Sequence, residues 1–587
     1  MQNRRKARGP RPTLRAMRRL AAALLLALLA ACGGGGGDDE APVPDPPGAL
    51  NDPNAYSSQP EASLPGAVEA VATTKHQLRL GGSEIAYTAS AGHLIAREPL
   101  AGAAQASVFH VAYTADDADP AMRPVTFFYN GGPGSASVWL HLGSFGPKRL
   151  ATGVPATTAA RPFPLVDNAD SLLASTDLVF IDAVGSGRSQ AIAPYRNRDF
   201  WSVGADAALF RDAIRRWLQM HGRQASPLFL YGESYGGPRT AVLARRLQEA
   251  GTWPAGLILQ SPALDYHSNC GVTETAGIAC TGYLPSYAAT GAWHGLSTPA
   301  PVDLDGWLGG ARDFAAMRYA PALHDWLAAA LPAPELWLPL AELTGLSAAQ
   351  WQQSFNLGPT RYRERLIPGQ LLGRYDARMT APVGSALAAE GDPSSSWIGT
   401  SFAAAIDAYL RDTLLYRNRS TYVLLSTAIE HWDFAHAGRD LPDTVPDLAA
   451  ALAADPALRV LAVSGVHDLA TPFHVTETDL ARLASDRVSV RNYPGGHMSF
   501  LDDATRPRQR TDIAAFLAHA AAERTLRRSP LAAALRPAPT WPALPALPAW
   551  PDRAGVPAAA IGEPLPEAAL QAPLRDPWVP VRRAPGR

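Results

Sequence analysis

Three kinds of apolar patterning divide the chain. Between residues 71 and 125 the segments 77–80, 84–88 and 107–113 alternate apolar and polar positions. That is the period of half-buried antiparallel strands, and it predicts one edge of a sheet. From residue 125 onward the alternation gives way to short continuous apolar runs bounded by glycine-rich turns, at 125–129, 178–182, 228–231, 257–260, 460–464 and 488–493. Such runs predict strands covered on both faces. Segments of helical period lie between them, for example 206–221 and 240–251, so the expected fold class is α/β with a mainly parallel sheet. From about 266 to 455 the strand signal lapses into a stretch rich in Trp, Ala and Leu with helical period, as at 402–415. Lying between two strands, it is expected to be an inserted cap over their carboxyl ends, where α/β folds place ligands.

The two ends of the chain follow other rules. Arg4, Arg5, Lys6, Arg8, Arg11, Arg15, Arg18 and Arg19 precede an uncharged apolar run over 20–31, which reads as a secretory signal and is too short to span a bilayer as a helix. Met17 opens a complete signal by itself. The run closes on Leu29-Ala30-Ala31-Cys32, which resembles the lipobox of bacterial lipoproteins and implies acylation of Cys32 and a membrane lipid anchor. No Asp stands directly after Cys32, which by the usual lipoprotein pattern favours the outer membrane. Residues 33–70 open with five glycines, hold seven prolines and are expected to be a flexible tether; 529–587 hold 14 prolines and are expected to be extended or disordered.

These two segments account for 21 of the 53 prolines, so the 587-residue length reduces to one large catalytic-size core with a cap. The expected organisation is signal 1–32, tether 33–70, core 71–265, cap 266–455, core again 456–528, and tail. Lys plus Arg is 52 against 53 for Asp plus Glu, which offers no basic excess for a nucleic-acid partner. Three cysteines and no Cys-x-x-Cys exclude a disulfide scaffold and a zinc ribbon, although Cys270 and Cys280 could bridge a short loop. His431 and His436 are five apart and do not share a helical face, so no metal site is expected.

The chemistry is concentrated at strand ends. The run 228–231 leads through Gly232-Glu233-Ser234-Tyr235-Gly236 into a helical segment, the context of a nucleophile elbow. A serine hydroxyl needs a base, and in this context the partners follow in the order Ser, acid, His. Asp468 comes just after the strand 460–464, and His497 just after 488–493. Acyl transfer also needs oxyanion donors. The loop Asn130-Gly131-Gly132-Pro133-Gly134 follows the strand 125–129, so the backbone N–H groups of Gly132 and Tyr235 are the candidates. No phosphate-loop or dinucleotide glycine pattern is present, and no cofactor is called for.

These residues resemble the serine carboxypeptidases, a branch of the α/β-hydrolase superfamily. The resemblance rests on the 130–135 loop, on Phe180-Ile181-Asp182 with Gly185-Ser186-Gly187-Arg188-Ser189, on Gly232 to Gly237, on Asp468-Leu469-Ala470-Thr471-Pro472 and on Gly496-His497-Met498, across roughly residues 75–520. It implies Ser234 as nucleophile, His497 as general base and acid, and Asp468 as its orienting partner. It further implies that Asn130, the Gly131 backbone and Glu233 hold the C-terminal carboxylate of a peptide substrate. Two carboxyl groups in contact cannot both ionise cheaply, so Glu233 is expected to act protonated and peptidase activity to be best at acidic pH.

The chain departs from the family at Tyr129, where Trp is usual, at Ser135, where a disulfide cysteine is common, and at Arg188, an aromatic position expected to border the cleft. An esterase or acyltransferase on the same triad remains open, as does, from another class, a lipoprotein that only binds peptides.

Overall fold

The computed structural model describes residues 46–272 and 277–528. The signal, Cys32, the glycine run of the tether and the proline-rich tail lie outside the described residues.

Nine strands form the path of the central sheet: β1 Ala70–Leu80, β2 Ser83–Arg97, β3 Ala104–Ala115, β4 Val125–Tyr129, β5 Asp177–Ile181, β6 Leu228–Glu233, β7 Pro254–Gln260, β8 Arg459–Gly465 and β9 Val488–Tyr493. Their spatial order is β9-β8-β7-β6-β4-β5-β3-β2-β1, with a two-residue strand, Gln190–Ala191, added to β3. All pairings from β9 to β5 are parallel, and those of β5 with β3, β3 with β2 and β2 with β1 are antiparallel. This exchange of β4 and β5 within a parallel sheet, flanked by an antiparallel edge, is the α/β-hydrolase arrangement expected from the sequence.

Period-two alternation in the parallel strands is masked in sequence because both faces are apolar. Val125, Phe127 and Tyr129 of β4 and Leu228 and Leu230 of β6 face one core, where they meet Phe210 and Trp217 of α1 (Val203–Met220), Leu243 and Leu247 of α2 (Gly236–Glu249) and Leu448 of α3 (Val445–Ala454). Phe128, Phe229 and Tyr231 face the other, with Ile513 and Leu517 of the long C-terminal helix Arg506–Arg528. The second half of β2 is likewise buried on both faces. That removes its alternation and explains why the strand is much longer than the segment 84–88.

The insert leaves after β7 and returns before α3. Its ends are stitched together: Tyr266 N–H donates to the Pro442 carbonyl at 3.0 Å, Thr444 N–H to Leu264 at 2.9 Å, and Asp265 and Asp443 form an antiparallel bridge. Arg482 bonds both carboxylates, Asp265 at 2.8 Å and Asp443 at 2.6 Å. The cap therefore ends near 443 and not at 455, because α3 packs into the sheet core. Between those ends the cap has its own apolar centre, including Tyr287, Tyr319, Leu340, Trp351 and Tyr362. Helix Pro393–Ala408 instead packs Phe402 toward the sheet core.

The expected tether also ends earlier. From Gly48 the chain is packed: Leu50–Asn51 pairs with Tyr416–Arg417 of the insert, and Leu64 bridges Ile192. Asp52 accepts from Tyr56 at 2.8 Å and Tyr416 at 2.7 Å. Apolar residues such as Leu50, Tyr56 and Leu64 supply the burial that a flexible linker lacks.

Candidate active site

The elbow follows from crowding. A Cβ on Gly232 would stand 2.2 Å from the Gly236 carbonyl, so the β6–α2 turn admits no side chain there. Ser234 is left at a φ of 61°, a left-handed conformation costing a β-carbon residue about 1–3 kcal/mol. The turn is held by Ser234 N–H to Gln260 O at 2.9 Å and Gly237 N–H to Ser234 O at 2.8 Å.

Gln260, at the end of β7, connects this turn to the base. Its carbonyl takes the Ser234 N–H, while its side-chain Nε2 donates to the His497 carbonyl at 3.0 Å and the Ser261 hydroxyl donates to the same oxygen at 2.8 Å. Gln509 donates to Gln260 Oε1 at 2.6 Å from the C-terminal helix, fixing the amide. The Ser234 and His497 backbones are thus two ends of one buried network.

His497 Nδ1 lies 2.8 Å from Asp468 Oδ2, and Asp468 Oδ1 accepts the amides of Ala470 at 2.7 Å and Thr471 at 3.0 Å. Because the carboxylate can only accept, Nδ1 carries the proton and Nε2 remains basic. From the cap side, the Tyr375 carbonyl accepts the His497 N–H at 2.6 Å and the Tyr375 ring packs on the imidazole, with centroids 5.0 Å apart. Burial pulls the His497 pKa down, but the charge and hydrogen bond of Asp468, aided by Glu233, outweigh it and the opposing Arg374, holding the group above its ordinary value.

The loop 130–134 lies directly on the elbow: a Cβ on Gly131 would be 2.4 Å from Tyr235 N. Asn130 Oδ1 accepts the Leu140 N–H at 3.2 Å, which orients the amide. Glu233 is buried, and its Oε2 has no hydrogen-bond partner. Burial, with Asp468 adding to it, pushes its pKa up to about 7 against the opposing pull of His497 and a hydrogen bond to Asn130. Ser234, Glu233, Asn130, Asp468 and His497 are all less than a tenth exposed.

Several supporting residues escaped the sequence reading. Arg239 of α2, wholly buried, forks onto Asp206 of α1 at 2.6 and 3.2 Å and donates to the Asn130 carbonyl at 2.5 Å. Its guanidinium also stacks on Phe210, Tyr235 and Tyr129, with centroid distances of 4.5, 5.4 and 5.6 Å. Arg239 therefore ties the oxyanion loop, the elbow helix and α1 together. Its mark in the sequence is a charge in the first turn of the helix that follows the elbow.

The departures from the family resolve as packing. Tyr129 donates to or accepts from Thr240 at 2.7 Å, and Ser135 accepts from Trp139 at 2.9 Å. Arg188, expected at the cleft, is buried: it bonds Asp407 at 2.7 Å and the Ser420 carbonyl at 3.0 Å and stacks between Tyr416 and Tyr422. It fastens the insert to the core, because the insert supplies both its counter-charge and its aromatic walls. Cys270 and Cys280 are joined as a disulfide near the start of the cap. His436 bonds Asp447 at 2.7 Å and His431 lies against Trp201, so the two histidines serve separate contacts.

The serine carboxypeptidase family model matches residues 84–252, which bears out the resemblance carried by the motifs and supports a serine hydrolase. Similar solved structures include a proline iminopeptidase from Mycobacterium smegmatis, 18% identical with a TM-score of 0.32, covering 76% of this chain and 99% of that one. Another is a thermophilic esterase from Thermogutta terrifontis, 13% identical with a TM-score of 0.29, covering 73% and 98% respectively. Among curated protein sequences none matches the chain.

Proposed function

We propose that this protein is a serine carboxypeptidase, releasing C-terminal residues from peptides through an acyl-enzyme on Ser234. Nε2 of His497 takes the Ser234 proton as the hydroxyl attacks the scissile carbonyl, and the oxyanion is received by the N–H groups of Gly132 and Tyr235. The imidazolium then protonates the leaving amine, and a water repeats the sequence to free the acid. Asp468 stabilises the imidazolium without taking its proton.

The observation that carries the peptidase reading is the buried carboxyl of Glu233, with its unpaired Oε2 beside Asn130. An esterase gains nothing from an unsatisfied acid next to its nucleophile. A substrate carboxylate, by contrast, accepts a proton-bearing Glu233 as donor. The competent form shares one proton between two groups, Glu233 protonated and His497 neutral. A second proton on His497 disables the base at low pH. Loss of the shared proton sets two carboxylates against each other as pH rises through about 7.

Peptide kcat/KM is therefore expected to fall above neutrality, while hydrolysis of an ester lacking a free carboxylate persists. A blocked dipeptide compared with its C-terminal amide tests the reading. Equal rates for acid and amide, with identical pH profiles, refute it in favour of an esterase; failure of a fluorophosphonate to label Ser234 refutes both in favour of a peptide-binding lipoprotein. Among the described residues no helix is long and apolar enough to cross a membrane. Export and anchoring through an acyl chain on Cys32 belong to the same proposal, and loss of acyl-chain labelling in Cys32→Ala is the expected result.

A further inference from the structure

Asp468 is not the only acceptor facing His497 Nδ1. Thr471 Oγ1 lies 3.0 Å from that nitrogen, against 2.8 Å for Asp468 Oδ2, and the two oxygens are 2.9 Å apart. A hydroxyl has one proton to give and two lone pairs to receive with. Asp468 Oδ2 already has the imidazole N–H, and Asp468 Oδ1 has two amides. The Ser261 carbonyl, 2.8 Å from Thr471 Oγ1 in a buried site, is the nearer of the two acceptors of the Thr471 proton, Asp468 Oδ2 at 2.9 Å being the other. A lone pair is then left for the imidazole N–H, which divides between two acceptors.

The support for this hydroxyl is itself built for the base. Ser261 is held at a φ of 44°, which a β-carbon residue adopts only under constraint. Its N–H is tied to Val463 O at 2.8 Å, its Oγ to the His497 carbonyl at 2.8 Å, and its carbonyl to Thr471. One strained residue thus braces the His497 backbone and the second acceptor of its ring.

We propose that Thr471 is a positioning residue for the general base, its hydroxyl fixed by the Ser261 carbonyl so that it shares the His497 Nδ1 proton with Asp468 and locks the ring's plane and tautomer. The inference rests on the serine-hydrolase reading but not on the choice between peptide and ester. The charged groups facing His497 are Asp468 from the loop after β8, Glu233 from the elbow and Arg374 from the cap.

The test compares Thr471→Val, which keeps the shape and removes the hydroxyl, with Thr471→Ser, which restores it. The full chain is assayed by hydrolysis of an activated p-nitrophenyl ester across pH and by the rate of fluorophosphonate labelling. Thr471→Val is expected to lose about 10-fold to 30-fold in kcat with KM within about twofold, as for a hydrogen bond to a group that becomes charged. Its acid limb is expected to move to lower pH, because the imidazolium loses an acceptor. Thr471→Ser should recover both. A Thr471→Val protein with wild-type rate and acid limb, or a Thr471→Ser protein as slow as Thr471→Val, overturns the proposal. So does a lowered melting temperature with an unmoved limb, which would mark a packing role. Wild-type protein that fails to label refutes the serine-hydrolase reading, and with it this inference; wild type and Thr471→Val labelling equally fast refutes the inference alone.

Discussion

The two sides of Ser234 are finished to different degrees. On the β8–β9 side, both Asp468 oxygens, the His497 ring N–H and the His497 backbone N–H and carbonyl all have partners within the protein. On the β4 side, the loop backbone is equally fixed, through Arg239, yet Glu233 Oε2 is buried with nothing to bond. A half that performs the same proton transfers for any acyl substrate can be satisfied in advance. On the proposed function, the half that recognises a charge leaves one buried polar atom unpaired for it, at a cost of about 1–3 kcal/mol.

Substitutions in each half should separate them. Asp468→Asn, which reverses the tautomer preference, is expected to lower kcat about 10⁴-fold for peptides and esters alike. A peptide-selective loss would erase the distinction between the halves. Arg239→Met leaves Asp206 buried without its partner and is expected to lower stability by about 3–5 kcal/mol, read from denaturant unfolding. Adding Asp206→Leu should return most of that stability while the 130–134 loop stays misplaced, so kcat remains low. Full recovery of activity in the double variant would show that Arg239 serves the fold alone.

Glu233→Gln tests the recognition half directly. Peptide kcat/KM is expected to fall about 10-fold to 100-fold, the worth of a hydrogen bond to a charged group, and the decline near pH 7 should vanish while ester hydrolysis changes little. A matching loss on esters would place Glu233 in the shared machinery. Tyr56→Phe serves as the control outside both halves. It removes one of the hydroxyls on Asp52 and should cost about 0.5–1.5 kcal/mol of stability with no change in kcat/KM.

Much of this was legible in the chain because function here sits at the ends of strands. Ser234, Asp468 and His497 each follow an apolar run, and their order alone selects the fold that brings them together. Gln260 stood only as the end of an apolar run, because its bridging of Ser234 and His497 exists only once β7 lies between β6 and β8. Asp206 resembles any carboxylate in the first turn of a helix, where it would answer the helix dipole. Its true partner, Arg239, is 33 residues away. The cap's end was misplaced because α3 has the same apolar period as the cap helices, and period reveals a buried face without revealing which core buries it. Leu50, Tyr56 and Leu64 were hidden by the prolines around them.

The clasp at Asp265, Asp443 and Arg482 changes what the cap's length means for the rest of the molecule. The roughly 180 intervening residues begin and end on adjacent bridge partners, so to the core they are a loop whose closure is enforced at its neck. Closure entropy grows only with the logarithm of length, about 0.6 kcal/mol per doubling. Insertions or deletions in the cap that spare Tyr375, Phe402 and the 407–422 contacts with Arg188 therefore add little closure cost to the catalytic frame. New pockets can be fashioned there by changes in chain length as well as by point substitution, while the elbow, the base and the oxyanion loop keep their registration.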